Sequence, residues 1–144
     1  MVEQDTIKLL RECDEGIKMG VASIDEVLEY THHEALREAL TGCKEEHDKL
    51  KKEIQLLLDG YHDEGKDPNP MAKGMSWIKT NVKLSMNDSD KTIADLITDG
   101  CNMGVKSLNR YLNQYEAADE TSKDITKRLI RLEERLAVDL RPFL

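Results

Sequence analysis

The sequence predicts an all-α chain that folds as an antiparallel four-helix bundle of two helical hairpins joined by a long crossover. Four long segments repeat apolar residues in steps of three and four, the spacing of one face of a helix. The composition is 35% charged and 39% hydrophobic, with abundant Glu, Lys and Leu, which favours helices. One connection, residues 60–70, concentrates glycine and proline and separates the hairpins.

The first hairpin is predicted to comprise helices over residues 5–30 and 33–59, with Gly60 as the stop signal. The apolar seam of the first helix runs through Ile7, Leu10, Cys13, Ile17, Gly20, Ile24 and Val27. The seam of the second runs through Leu36, Leu40, Cys43, His47, Leu50, Ile54 and Leu57. Because the join between them is short, the two helices should be antiparallel neighbours.

The second hairpin is predicted to comprise helices over residues 89–115 and 120–140, the latter ended by Pro142. The crossover before it begins as the loop GYHDEGKDPNP and should contain a short helix over about 71–85. A connection of this length lets the second and third helices lie parallel, the topology of ferritin-like bundles. The whole chain, residues 1–144, is predicted to be a single domain.

An octapeptide recurs in the first and third helices, as GIKMGVAS at 16–23 and GCNMGVKS at 100–107. This repeat suggests that the two hairpins are equivalent halves of a duplicated unit. A phosphate loop would need a preceding strand and a different glycine spacing, and a hinge is a second alternative. The favoured interpretation is close helix–helix packing, because glycines four residues apart share a helix face: Gly16, Gly20, Gly100 and Gly104.

Charge and cysteine usage limit the classes of partner. The formal net charge of −8 argues against nucleic acid and anionic membrane surfaces as partners. The N-terminus lacks a basic head followed by an apolar run, and no apolar stretch could span a bilayer, so we expect a cytoplasmic protein. Cys13, Cys43 and Cys101 have no CxxC spacing and are expected to be buried free thiols.

His47 is the one polar residue in the seam of the second helix. It is either a metal ligand or proton carrier, or a core histidine hydrogen-bonded to a neighbour. If a metal site exists, its candidate ligands are Glu15, Glu46, His47, Asp99 and Glu133. The alternative for the acidic pairs of the second and fourth helices, Glu45–Glu46 and Glu133–Glu134, is a solvated face with salt-bridge partners, and we favour it.

The chain resembles a bacterial ferritin-like family of four-helix proteins known only as a domain of unknown function. The resemblance covers nearly the whole chain and rests on ECDEGIKMG, EALREAL…CKEEHDKLKKEIQ, KGMSWIKTNVKLSM and DLITDGCNMGVKSLNRYL. The wider superfamily of ferritins and rubrerythrins implies carboxylate-bridged iron, with oxidation of ferrous iron or reduction of peroxide. That chemistry needs two Glu-x-x-His motifs, but Lys44 stands where the motif ending at His47 needs Glu, and the fourth helix has no histidine.

Two functions are therefore expected. The first is a non-enzymatic bundle that self-associates, as a dimer, or binds another protein. The alternative is a carboxylate/His protein of the di-iron type that binds iron or another divalent metal in iron handling or oxidative-stress defence. A core cavity for a small apolar ligand is a weaker third possibility.

Overall fold

A computed structural model describes residues 2–68 and 89–144, and within them the chain forms four long helices and a short terminal 3-10 helix. The helices are α1 (Val2–Leu28), α2 (Glu34–Gly60), α3 (Ser89–Gln114) and α4 (Glu120–Asp139), followed by the 3-10 turn Arg141–Phe143. The all-α class and the four predicted helices are thereby confirmed. The crossover helix predicted over 71–85 lies outside the described residues.

Helix boundaries follow from local signals that the sequence contains. Helix α1 begins at Val2, three residues earlier than predicted, because Glu3 and Asp5 place negative charge at the positive end of the helix dipole. Helix α4 begins after Asp119, whose carboxylate accepts a hydrogen bond from the backbone N–H of Ser122 at 2.8 Å. No helix within residues 2–68 and 89–144 combines the length and the apolar composition needed to cross a bilayer.

The helices pack around a core with two apolar clusters, one at each end. One cluster joins the C-terminal halves of α1 and α4 to the N-terminal halves of α2 and α3. The other joins the opposite halves of the same four helices. Helices α2 and α3 therefore run in one direction and α1 and α4 in the other. Each hairpin packs internally, and contacts of α1 with α3 and of α2 with α4 complete the bundle.

Each hairpin's turn is held by the first turn of the other hairpin. Asp90, at the start of α3, accepts hydrogen bonds from the backbone N–H groups of His32 and His33 at 2.7 and 3.0 Å. Thr6, near the start of α1, accepts one from the N–H of Asp119 at 2.8 Å. Thr6 and Asp90 are related by the 84-residue offset of the octapeptides. The repeat thus extends to the contacts that lock the two hairpins together.

A register relation with a slightly different offset holds between α2 and α4, where the sequences themselves no longer match. An offset of 86 residues superposes the seam of α2 on inward positions in and just after α4. The superposed pairs are Leu36 and Ser122, Leu40 and Thr126, Cys43 and Leu129, His47 and Glu133, Leu50 and Leu136, and Ile54 and Leu140. His47 and Glu133 therefore hold the same register position along the inward faces of α2 and α4.

The packing assigned to the repeated glycines is correct for only one glycine of each copy. A Cβ atom on Gly16 or Gly100 would meet nothing within 4 Å, and both residues are exposed. A Cβ on Gly20 would lie 3.4 Å from His47 Nε2, and one on Gly104 would lie 3.6 Å from Glu133 Oε2. The inward glycines therefore face side chains of α2 and α4, and the predicted contact between two glycine faces of α1 and α3 is wrong.

Gly16→Ala and Gly100→Ala are each expected to raise the free energy of unfolding by about 1 kcal/mol, because alanine favours a helix and both sites have open space. Urea denaturation of each variant measures this. The comparison variant is Gly20→Leu, whose larger side chain must displace His47 and should destabilise the protein. A loss of stability in both alanine variants would mean that the outer glycines are packed against something.

Candidate functional site

A buried histidine–glutamate pair lies at the centre of the bundle. His47 Nε2 of α2 lies 2.8 Å from Glu133 Oε1 of α4, and the His47 side chain is 1% exposed and that of Glu133 14%. Gly20 of α1 and Gly104 of α3 lie against the two side chains. Each of the four helices thus contributes one residue, and the two glycines provide room for the polar pair.

The geometry fixes where the protons of His47 lie. Nδ1 is 2.8 Å from the backbone carbonyl oxygen of Cys43, which can only accept, so Nδ1 carries a hydrogen. Nε2 faces a carboxylate oxygen, which favours a hydrogen there as well. Burial opposes a charged ring, but hydrogen bonds to Cys43 and Glu133 outweigh it and raise the pKa of His47 to about 10. His47 is therefore a buried imidazolium paired with the Glu133 carboxylate.

We expect the stability of the protein to fall as the pH rises between about 6.5 and 10. The folded pKa of His47 lies above its unfolded value, so the pair's contribution is fully present below the unfolded pKa and is lost as pH rises through the folded pKa. Urea denaturation at a series of pH values measures this slope. In His47→Gln the slope over this window should be flatter, and an equal slope in both proteins would contradict the assignment.

Two of the three buried cysteines adjoin the pair. Cys43 Sγ lies 3.4 Å from His47 Nδ1. Burial, followed by the charge of Glu133, raises the pKa of the Cys101 thiol well above its usual range. Cys13 lies elsewhere in the core beside Thr126, and burial raises the pKa of its thiol to about 12. All three are free and buried, as the sequence predicted.

Of the five predicted site residues, the structure brings together only His47 and Glu133. Glu15 is half-buried and pairs with Lys66 Nζ at 2.9 Å. Glu46 and Asp99 are exposed. The favoured interpretation of Glu133 as part of a solvated face is wrong, because its carboxylate turns inward to His47.

These residues do not fit a carboxylate-bridged di-iron centre. Such a centre needs carboxylates from all four helices and two histidines, whereas one carboxylate and one histidine meet here. Within the described residues, no group of three or more His, Cys, Asp or Glu side chains is arranged to hold a metal ion. The pair is instead a hydrogen-bonded core histidine with its counterion.

A second buried carboxylate anchors the loop after α2. Asp14 is 1% exposed, and its Oδ2 lies 2.7 Å from Lys18 Nζ and accepts a hydrogen bond from the Lys66 backbone N–H at 3.1 Å. Lys66 Nζ reaches Glu12 at 2.8 Å and Glu15 at 2.9 Å, and these two bonds raise the pKa of Lys66. Residues 61–68 form the predicted loop, and this network attaches it to α1.

A groove of about 430 Å³ lies between the N-terminal half of α2 and the C-terminal half of α4. Its floor includes Ala39, Cys43 and Leu136, and exposed Gly42 borders it on α2. Its rim consists of exposed charged residues: Glu38, Glu45, Glu46, Arg135 and Asp139. Four of the five rim charges are negative. The groove meets the central pair at Cys43, which lies on the floor and contacts His47.

Neither the contact of Cys43 with His47 nor the groove above Cys43 was predicted from the sequence. The spacing of four residues between them places both side chains on one face of α2 and could have indicated the contact. The groove has no sequence signal, because it depends on how α4 packs against α2. No protein-family model, no curated protein and no solved structure matches this chain.

Proposed function

We propose that this chain is a ferritin-like four-helix bundle that acts as a non-enzymatic protein-binding module. Its partner supplies a basic amphipathic helix, which lies in the groove between α2 and α4. The observation that carries the proposal is this groove, with a floor of small and apolar residues and a rim of carboxylates. The ferritin-like topology is supported by the parallel course of α2 and α3.

The shape of the groove suits a helix. On its α2 side, Ala35, Ala39 and Gly42 present little side-chain volume, so a partner helix could approach closely. The groove extends along α2 from Ala35 to Glu46, about 16 Å at the rise of an α-helix, or three turns of a partner. Leu132 and Leu136 of α4 provide apolar surface for anchor residues of the partner.

Charge selects between the possible occupants. Glu38, Glu45, Glu46 and Asp139 outnumber Arg135 on the rim, so lysine and arginine at the edges of a partner helix would be attracted. A second copy of this chain carries a formal net charge of −8 and would be repelled over the range of screened charge interactions. The complementarity therefore favours a different protein over a homodimer. The buried free thiols suit a reducing compartment, so we propose a cytoplasmic location.

The test uses a synthetic amphipathic peptide of about four helical turns, with Leu and Ala on one face and Lys on the other. Fluorescence anisotropy should show saturable binding to the full chain that weakens as salt is added. A peptide with Glu in place of Lys should not bind. Gly42→Leu fills the groove and should abolish binding, whereas Gly100→Leu, at an equally open helical glycine on α3, should leave it unchanged.

Three outcomes would overturn this proposal. Equal binding of the Lys and Glu peptides would show that the rim carboxylates do not select a basic partner. If Gly42→Leu and Gly100→Leu weakened peptide binding equally, the groove would not be the binding site. A dimer in analytical ultracentrifugation that Gly42→Leu dissociates would make a second copy the occupant.

The alternative of a metal-binding protein in iron handling or oxidative-stress defence stays a prediction. Elemental analysis after loading with ferrous iron tests it. Near-stoichiometric iron that is lost in His47→Ala would support it and would count against a purely protein-binding role. If the protein stayed metal-free under every loading condition, the metal-binding alternative would be ruled out.

A further inference from the structure

The sulfur of Cys43 combines two properties that the other two cysteines lack. It lies 3.4 Å from His47 Nδ1, and Cys43 lines the groove between α2 and α4. Cys13 instead lies beside the Thr126 hydroxyl in the core, and Cys101 beside the Glu133 carboxylate. A negative charge next to Cys101 disfavours its thiolate, whereas Cys43 faces the imidazolium end of the pair.

We propose that Cys43 is a nucleophilic thiol that reacts with small uncharged hydroperoxides entering through the groove. The arrangement has the order found around activated cysteines: sulfur, imidazole, carboxylate. His47 Nδ1 already carries a hydrogen, which it shares between the Cys43 carbonyl oxygen at 2.8 Å and the sulfur. His47 is therefore a positioning residue that holds positive charge beside the sulfur, and Glu133 keeps His47 protonated.

The reaction is a two-electron oxidation of the thiolate. The sulfur attacks the terminal, hydrogen-bearing oxygen of the hydroperoxide, so an S–O bond forms while the O–O bond breaks. The electron pair of the O–O bond leaves with the departing oxygen, and that hydroxide or alkoxide takes a proton from solvent. The sulfur becomes a sulfenic acid and the hydroperoxide is reduced to water or an alcohol. One equivalent of hydroperoxide is consumed for each Cys43 oxidised.

The carboxylates of the rim determine which reagents reach the sulfur. Glu45 and Glu46 lie on α2 within one turn of Cys43, with Asp139 across the groove on α4. Anionic reagents should be repelled and neutral ones admitted. The reactivity of Cys43 depends on the groups around its sulfur and not on the binding of a partner helix.

The test compares two alkylating probes on the full chain, neutral iodoacetamide and anionic iodoacetate, with the modified residue located by peptide mass spectrometry. Cys43 should react at least about tenfold faster than Cys13 or Cys101 in the folded protein. Its preference for iodoacetamide should exceed that of a free thiol, and Glu45→Gln with Glu46→Gln should raise the iodoacetate rate alone. Hydrogen peroxide should then give a single sulfenic acid at Cys43, absent in Cys43→Ser.

The positioning role of His47 has a separate measurement. His47→Gln should slow alkylation of Cys43 about tenfold, because it removes the positive charge beside the sulfur, and should leave the rates of Cys13 and Cys101 unchanged. A variant that merely loosened the fold would expose Cys13 and Cys101 as well and speed all three reactions. The inference is overturned if Cys43 reacts no faster than the other two cysteines, or if His47→Gln leaves its rate unchanged.

Discussion

A Glu133→Leu variant is expected to lose about 3–5 kcal/mol of unfolding free energy at neutral pH, one of the two largest effects anticipated for a single substitution here. The change removes the counterion of His47 and leaves a protonated, 1% exposed imidazole without a partner for Nε2. Either the charge stays buried and unpaired or the ring gives up its proton, and both outcomes cost free energy. Urea denaturation measures the loss.

The double variant His47→Leu with Glu133→Leu separates the lost charge pair from the lost packing. Replacing both members by apolar groups of similar size leaves no unpaired charge, so most of the stability should return. Glu134→Leu is the matched control, because Glu134 is the exposed neighbour on the same helix and should change stability little. Additive losses in the double variant would show that the two residues do not interact.

The seams of α1 and α2 could be predicted because their apolar periodicity is regular, and His47 stood out as the one polar residue within a seam. Glu133 could not be found in this way. Leu132 and Glu133 both border the core side of α4, and hydrophobicity alone selects the leucine. A carboxylate turns inward here because His47 supplies a charge and Gly20 and Gly104 supply space. Those partners lie on three other helices, so no sequence pattern within α4 indicates that Glu133 faces inward.

The glycine repeat could also be interpreted only in part from the sequence. The repeat was visible in the sequence, and its two copies lie in α1 and α3, both helices as predicted. The direction in which each glycine faces was not visible, because residues four apart on an α-helix differ by about 40° in direction. That rotation turns Gly20 toward the central pair and leaves Gly16 on the surface.

The loop after α2 was predicted from its glycine and proline content, but its attachment to α1 was not. Asp14 comes directly after the seam residue Cys13, and the sequence offered only one local partner for its carboxylate, the lysine four residues further on. The partners are Lys18, one turn along α1, and the backbone of Lys66, which is 52 residues away. Contacts between residues so distant in sequence depend on the completed fold.

Gly65→Ala is expected to destabilise the protein by about 2–4 kcal/mol, through two effects that add. Gly65 has a φ of +87°, a backbone conformation in which an L side chain is strained. A Cβ atom there would also overlap Asp14 Oδ2, which cannot yield easily because it is held by Lys18 and by the backbone of Lys66. Urea denaturation should show the loss, and limited proteolysis should show faster cleavage within residues 61–68.

The matched control for this substitution is Gly60→Ala, five residues earlier at the end of α2. Gly60 has ordinary backbone geometry, and a Cβ atom there would meet nothing within 4 Å, so alanine should be neutral or slightly stabilising. Combining Gly65→Ala with Asp14→Ala relieves the overlap but leaves the strained φ, so Gly65→Ala should cost less in that background. If Gly65→Ala were as harmless as Gly60→Ala, the loop would not be anchored at Asp14. Its other ion pairs with α1 would hold it instead: Lys66 with Glu12 and Glu15, Arg11 with Asp63, and Lys18 with Asp67.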